Sequence, residues 1–440
     1  MSGLAESIGH LWQRTRPSKL TKDAGLYISG NLFQKAASFL LLPLWARFLT
    51  PQDYGITGTL TAYGGVLSAL LMLGLNGSVV RHYYSYLNDT EKQKQYISSV
   101  LVFLVVIAGA VILFLNFWGS LLWQRYTSNI IPFDPYVRLM LWTTYAGLLF
   151  QIVLDIYRAQ QKSRTYVGLQ SGKFVLGIVL TFVWVVALRT GAYGVMISQL
   201  ISGVAAAALV LYLITRDGLN PSIKWRFIRS ALVFGIPLVP HAMAHWVLAA
   251  SDRVILEQFV TLKEIGLYNF GYTLGLAATV VVTGINQAYG PYYYKLMQTD
   301  PDPAPKIITV VSKYIAVVGG ICLGGILFAR EFVYLLLPHE YYGAVVYVGP
   351  IIISALFVGY YQFANKPLLH FKKTKIIPLL TGIAALLNIG LNLCFIPAFG
   401  AIAAAWTTAV SYAFSSVAFF LVGRRYQKIN YPLFAGGDDI

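Results

Sequence analysis

Along this chain apolar residues run on for about twenty positions at a time, the length needed to cross a bilayer as a helix, and polar residues gather in short clusters between the runs. The pattern predicts spans over 24–49, 56–80, 96–123, 139–156, 166–188 and 193–214, then a second set over 231–250, 267–288, 307–329, 344–363, 376–396 and 401–422. Membrane β-strands would run about ten residues with strict alternation, whereas these runs are longer and unbroken. The expected fold is therefore all-α: a polytopic membrane protein of 12 transmembrane helices, in two parallel six-helix lobes. The lobes are expected over 24–215 and 230–422. A polar segment 1–23 precedes them, a linker 216–229 with Gly218, Asn220 and Pro221 joins them, and a tail 423–440 follows.

Composition agrees with lipid as the solvent. Of the 440 residues, 57% are hydrophobic and 11% charged, against roughly 25% charged in a soluble domain. The first 23 residues are basic (Arg14, Arg16, Lys19, Lys22), and the apolar run after them is too long for a cleaved secretory signal. Cys322 and Cys394 both sit in apolar runs, which predicts buried small hydrophobes and no disulfide framework.

A net charge of +16 would suggest nucleic acid in a soluble protein. Here its placement explains it. With the N-terminus in the cytoplasm and twelve alternating spans, about two thirds of the 33 Lys and Arg fall on the cytoplasmic side. The other side receives Arg47, Arg125, Arg138, Arg189, Arg253, Lys263 and Arg330. That bias is the positive-inside rule. It places both termini in the cytoplasm of a multi-pass inner-membrane protein and leaves no role for nucleic acid.

An internal repeat recurs at an offset of roughly 206 to 210 residues. Gly74-Leu-Asn76 leads to Tyr83-Tyr84 as Gly284-Ile-Asn286 leads to Tyr293-Tyr294. Ala192-Tyr-Gly194 precedes the sixth span as Ala398-Phe-Gly400 precedes the twelfth, and Arg47 stands before Tyr54-Gly55 as Arg253 stands before Ile265-Gly266. Parallel repeats of this kind are known from alternating-access transporters.

Ionisable groups inside spans are expensive in lipid, so each is a functional candidate. Lys35 lies near mid-membrane with Asn31 one turn before it on the same helix face; it either lines a cavity or pairs with a neighbouring carboxylate such as Asp155. His241 and His245 share a helix face after Pro237 and Pro240, and either contact substrate or bond a neighbouring helix. Asp252 and Arg253, adjacent and therefore expected to point in different directions, are candidates for gating or for a latch between lobes. Lys173, Lys313 and Lys366 lie one or two turns from the cytoplasmic edge, where snorkelling explains them as well as ligand contact does. Arg81 and His82, followed by tyrosines, would form a cytoplasmic entrance or part of an interfacial aromatic belt. Gly319-Gly320 and Gly324-Gly325 suggest close helix packing. The stretch from Gly168 to Lys173 lacks the spacing and hydroxyl of a phosphate-binding loop. No metal-ligand cluster, nucleophile elbow or cofactor motif stands out, so neither an enzyme nor a metal site is expected.

Four stretches resemble the bacterial polysaccharide (O-antigen) flippases of the multidrug/oligosaccharidyl-lipid/polysaccharide exporter superfamily. They are Arg47-Phe-Leu-Thr-Pro-Gln-Asp-Tyr-Gly55, Phe234-Gly-Ile-Pro-Leu-Val-Pro-His241, Ser251-Asp-Arg-Val-Ile-Leu256 running on to Ile265-Gly-Leu-Tyr268, and Ala398-Phe-Gly400. The resemblance covers the chain nearly end to end, but its motifs are loose helix-end patterns. It implies a central cationic cavity. It also implies passage of an undecaprenyl-pyrophosphate-linked oligosaccharide to the periplasmic leaflet, with proton or sodium as coupling ion and polysaccharide polymerases as partners. On that resemblance Lys35 and Arg253 become pyrophosphate or gating partners and His241 a sugar or proton site. Arg47 belongs to a helix-end motif, and Asp155 and Asp252 are the carboxylates available for coupling. A multidrug exporter of the same superfamily and a membrane glycan polymerase or ligase are the competing expectations.

Overall fold

The structure, a computed structural model, describes residues 19–427 and their side chains from Gly25 onward; the basic residues before 19 and Lys428 in the tail lie outside it. Among the described residues there are helices and turns and no strands. The helices are α1 (Lys19–Trp45), α2 (Pro51–Met72), α3 (Leu75–Ser85), α4 (Thr90–Tyr126), α5 (Arg138–Ala159), α6 (Ser163–Thr181) and α7 (Gly191–Arg216). They continue as α8 (Trp225–Gly235), α9 (Val239–Leu256), α10 (Leu262–Thr299), α11 (Ala304–Leu327), α12 (Ala329–Leu336), α13 (Val345–His370), α14 (Ile376–Phe399) and α15 (Ala401–Arg424). Taking α2 with α3 and α8 with α9 as single bent rods, 11 are long and apolar enough to cross a membrane. The 27-residue α1 has the length, about 40 Å at 1.5 Å per residue, but carries Lys35 and Pro43 and falls short in apolarity. Large apolar side chains such as Leu40, Phe117, Leu335 and Leu386 stand 68–82% exposed on the outer faces, as expected where lipid replaces water.

The N-lobe core joins α2 to α7, with Leu60, Leu104, Ile152 and Val210 fully buried. The C-lobe core joins α10, α11 and α13 around Phe270, Tyr314 and Val348, and α13 packs along α15 as α9 packs along α14. Each core borrows an end from the other half of the chain. Leu42 of α1 and Ala46 just after it join the C-lobe core, and Phe227 and Ala231 of α8 join the N-lobe core. This shortens the expected linker, because α8 already begins at Trp225 and buries Phe227 and Ile228. Likewise α1 begins at Lys19, before the expected residue 24.

The internal repeat is visible as matched geometry. Thr50 caps α2, and Asp53, three residues on, accepts the Thr50 backbone N–H at 2.9 Å. The same carboxylate accepts the N–H of Ala192, the second residue of α7, at 2.7 Å. Thr261 caps α10 in the same way, and Glu264 accepts the N–H of Ala401, first in α15, at 2.9 Å. Gly191 and Gly400 precede the two contacts with φ of 58° and 64°, a conformation that favours glycine. The equivalent of Gly400 is thus Gly191, and the alignment with Gly194 expected from the Ala-aromatic-Gly pattern slips by three residues. Each carboxylate also sits at a helix N-terminus, where the macrodipole favours negative charge.

The lobes meet where α2 and α10 cross. A Cβ on Gly55 would lie 2.1 Å from the carbonyl oxygen of Leu262, and one on Gly266 would lie 1.6 Å from that of Pro51. The two glycines are equivalent in the repeat, so the contact has near two-fold symmetry. Lower down the symmetry breaks. The rod of α2 and α3 bends at Leu73 and Gly74, both left-handed at φ 50° and 68°, and Gly74 meets Gly235 backbone to backbone. Its counterpart α10 runs on unbroken, and Gly284 there, like Gly25 of α1, faces open space. So α3 and α8 close one seam, while α1 touches the C-lobe core near one end only, through Phe39 and Leu42, with Ala46 just beyond it.

The glycines of α11 behave otherwise than expected: Gly319, Gly320 and Gly324 touch nothing, and only Gly325 approaches a side chain, that of Ile352. Cys322 is buried as expected, but Cys394 is exposed, and both are free thiols. Overpacking a tight contact costs about 1–3 kcal/mol, and here the clash is with backbone. Gly266→Val should therefore lower the thermal midpoint in detergent by several degrees or more, whereas Gly319→Ala should hold or slightly raise it. Thermal scans of the two variants beside the wild type check this contrast.

Candidate functional site

A pocket of about 590 Å³ opens within the N-lobe, walled by α1, α2, α5, α6 and α7, with Thr273 of α10 at its edge. Its polar wall is made of neutral side chains and one cation. Gln34, Gln151, Gln170 and Gln199 contribute carboxamides, Ser38 and Ser202 contribute hydroxyls, and Lys173 contributes the charge. No Asp or Glu is among the lining residues. Gln151 and Gln199 each lie eight residues from the ends of α5 and α7 nearest them, about 12 Å along the helix, so the pocket sits deep in the bundle. The Nε2 of Gln34 is buried there with no hydrogen-bond partner, a costly state for an amide donor. Lys173 holds its ammonium 4.7 Å above the ring of Phe150 and makes no ion pair or hydrogen bond among the described residues. It lies ten residues, about 15 Å, into α6, deeper than the one or two turns expected from sequence.

Other sequence candidates fall elsewhere. Lys35 and Asn31 are exposed, and Lys35 stands one residue from Gln34 and one turn from Ser38 of the pocket wall. It does not pair with Asp155. That carboxylate is buried and bound instead by Arg158 at 3.2 Å and by the Gln151 amide at 3.2 Å. His241 is half-buried with an unpartnered Nδ1, and His245 is exposed; neither lines the pocket. Arg47 and Lys313 are exposed, and Lys366 is half-buried. Arg81 lies 4.6 Å over the Phe234 ring of α8. Beside it His82 approaches Ser230 of α8 at 3.0 Å through Nε2, so this pair joins α3 to α8.

Asp252 and Arg253 do not point apart as expected. The Arg253 side chain turns back to Asp252 at 2.8 Å, and both are buried. Arg253 further donates to Asn269 Oδ1 at 2.9 Å and to the Ala249 carbonyl at 2.7 Å, and lies 3.9 Å over the Tyr272 ring. Tyr268 donates to the other Asp252 oxygen. Asn269 in turn donates to the carbonyl of Tyr54 in α2 at 3.3 Å, so this ion pair reaches the N-lobe through one amide. The Arg253 Nε and Nη1 donors are thus taken up inside the protein, which makes the pair a structural joint.

Two further features escaped a search limited to charged residues in mid-span. Glu257, just past α9 and 1% exposed, accepts from Tyr63 of α2 at 2.6 Å and from Ser128 at 2.9 Å. Both donors belong to the opposite lobe. In the C-lobe, Asn388 bonds Ser411 at 3.2 Å and Asn392 bonds Asn388 at 3.1 Å, while Thr407 donates to Asn392. The signal was present in the sequence as Gln and Asn inside apolar runs, with Asn388 and Asn392 one turn apart. Among the described residues no three His, Cys, Asp or Glu side chains gather as metal ligands.

Comparison with known proteins places this architecture. The lipid II flippase MurJ, in an inward closed conformation, superposes with a TM-score of 0.76 at 13% identity, covering 90% of this chain and 87% of that one. An inward-facing multidrug resistance MATE family transporter of the MOP superfamily gives 0.66 at 14% identity, covering 89% and 94%. At these identities the likeness speaks for the fold. In sequence, "Lsg locus putative protein 1" of Haemophilus influenzae is 23% identical over 292 residues, 64% of this chain and 67% of that protein. A second Haemophilus influenzae protein, an uncharacterized membrane protein, is 22% identical over 63% of this chain. The chain thus spans about two thirds of the length of these curated relatives. The model of the family described as "Polysaccharide biosynthesis protein" matches residues 20–297, more than half of the chain, and the chain belongs to that family.

Proposed function

We propose that this protein carries an undecaprenyl-pyrophosphate-linked oligosaccharide from the cytoplasmic to the periplasmic leaflet by alternating access, driven by a proton or sodium gradient. The observation that supports it best is the deep N-lobe pocket of amides and hydroxyls with one cation and no carboxylate. Sugar hydroxyls are costly to move through hydrocarbon, so a carrier must offer them polar partners at that depth. A multidrug exporter acting on cations would want an acidic wall, which these lining residues do not provide. The family and the flippase fold among its structural neighbours point the same way.

In this reading the loops 217–224 and 300–303 face the cytoplasm, and the α2–α10 crossing is the closed periplasmic gate. The expected lobes and linker are kept with the linker shortened to the residues between α7 and α8. The gap between the cytoplasmic halves of α1 and α10 gives the polyprenyl tail a place to remain in lipid, and the exposed Lys35 and Asn31 stand on α1 beside it. Arg81, Lys313 and Lys366 attract the anionic head group towards the cytoplasmic opening, while Arg47 stands at the other face. His241 and His245 belong to the space between lobes. Arg253 and Asp252 act on the gate as a joint and not as ligand contacts. Glu257 is the latch, because its two acceptor contacts break when the lobes part.

Deleting the gene should abolish surface polysaccharide and leave lipid-linked repeat units on the cytoplasmic leaflet, as read by glycan analysis and leaflet-specific labelling. Normal surface polymer would sink the proposal, and single units already facing the periplasm would move the step to polymerisation. Lys35→Ala should complement such a strain poorly at normal protein level. Arg253→Ala should instead lower the level itself, since stripping one partner from a buried ion pair costs about 3–5 kcal/mol. Immunoblots beside the complementation assay separate the two. Tyr63→Phe removes one hydrogen bond to a carboxylate, worth about 1.5–3 kcal/mol, and should favour the outward-open state about tenfold or more. Faster labelling of a cysteine placed at buried Ala62 by a membrane-impermeant thiol reagent would register that shift; an unchanged rate would remove Glu257 from the gate.

A further inference from the structure

The N-lobe pocket carries more information than polarity. Its four carboxamides come from four different helices, α1, α5, α6 and α7, so each points inward from a separate wall. A carboxamide both donates and accepts, which suits the hydroxyl and acetamido groups of a saccharide and not an apolar ligand. Gln151 is held by its Nε2 to Asp155, which leaves its carbonyl oxygen to accept. Gln34 offers an unused Nε2 donor, so the wall presents both polarities at fixed places. Trp45 and Phe174 add aromatic faces against which the apolar side of a sugar ring can lie.

The charge in the pocket is single. Lys173 is the one cation among the lining residues, no carboxylate opposes it, and its ammonium is steadied by the Phe150 ring with all its donors unclaimed. One ammonium at this depth is matched by one negative charge. It is a poor match for a pyrophosphate, whose two or more charges would remain uncompensated away from water.

We propose, resting on the flippase reading, that this pocket is the glycan subsite of the carrier and that it takes a saccharide bearing a single acidic group. Lys173 pairs with that acid, and Gln34, Gln151, Gln170 and Gln199 bond the hydroxyl and amide groups around it. The pyrophosphate is left to the space between the lobes. The acid is a carboxylate carried by one of the sugars, since the phosphate attached to the first sugar belongs to the pyrophosphate.

The test uses the purified full-length protein in detergent with Trp45 as reporter, since it lines the pocket, and Trp45→Phe as the control that must lose the signal. Four probes are titrated into the millimolar range: N-acetylglucosamine, glucuronic acid, N-acetylglucosamine 1-phosphate and inorganic pyrophosphate. The expected result is binding of glucuronic acid about tenfold tighter than the neutral sugar. Lys173→Gln removes that advantage, as loss of a charge-assisted hydrogen bond worth about 1.5–3 kcal/mol requires. Glucuronic acid as the tightest ligand supports the assignment, and N-acetylglucosamine 1-phosphate binding tighter than glucuronic acid would overturn it by bringing the pyrophosphate end into the pocket. Gln199→Leu should weaken the neutral sugar and the acidic sugars alike, with an unchanged thermal midpoint showing that the fold is intact. Pyrophosphate binding as tightly as glucuronic acid, N-acetylglucosamine and glucuronic acid binding equally, or no Trp45-dependent signal with any probe would each overturn the assignment. These outcomes are independent of the deletion phenotype: the carrier reading can survive without this subsite, and sugar binding here can survive if the deletion leaves polysaccharide normal.

Discussion

Two helices can approach to backbone contact only where neither carries a side chain, and this molecule depends on one such approach. At Gly55 and Gly266 the first turns of α2 and α10 lie carbonyl against Cα, each helix using the same position of the repeat. Around that crossing sit the Tyr54 ring, edge-on to Phe270 and Tyr341, and the Tyr341 hydroxyl, which donates to the Leu49 carbonyl at 2.6 Å. The Glu257 contacts and the Arg253–Asn269–Tyr54 relay lie on the same seam. Polar contacts between helices in lipid contribute on the order of 1 kcal/mol each, so this crossing rests on close packing with a few directional bonds added.

Within each lobe the logic is different. Asp53 ties the start of α2 to the start of α7, and Glu264 ties α10 to α15. Each carboxylate satisfies backbone N–H groups that a helix start leaves unpaired and locks two distant segments into one body. Rigid lobes joined by a separable seam are what rocking motions require. The buried Asp252–Arg253 pair strengthens the C-lobe in the same manner, at a desolvation cost offset by Tyr268, Asn269 and the Ala249 carbonyl.

Much of this was legible in the sequence because the membrane imposes a coarse rule: long apolar runs and positive loops. The two lobes and every span but α1, which falls short in apolarity, followed from it, while the repeat showed in its matched motifs. What escaped depends on angles and on partners. Lys35 and Gln34 are neighbours in sequence but about 100° apart around α1, and hydropathy cannot tell which of them turns into the pocket. Asp252 and Arg253 point apart on an ideal helix, yet a flexible arginine folds back when burial leaves it no water. The amides of the pocket wall were passed over because they carry no charge, although in hydrocarbon an unpaired amide is itself an expense. Glu257 was missed because it sits just beyond a helix end, where a carboxylate on sequence grounds looks solvated.

The bend at Leu73 and Gly74 belongs to one half only. Its counterpart at Gly284 continues straight, so the molecule has one hinged edge and one free edge despite its matched halves. A molecule assembled from two copies of either half would be symmetric about its gate: two bent rods would seal both edges, and two straight ones would leave both unsealed. The two halves share their caps and their glycine crossing and differ at this one turn, and that difference is what gives the molecule a front and a back.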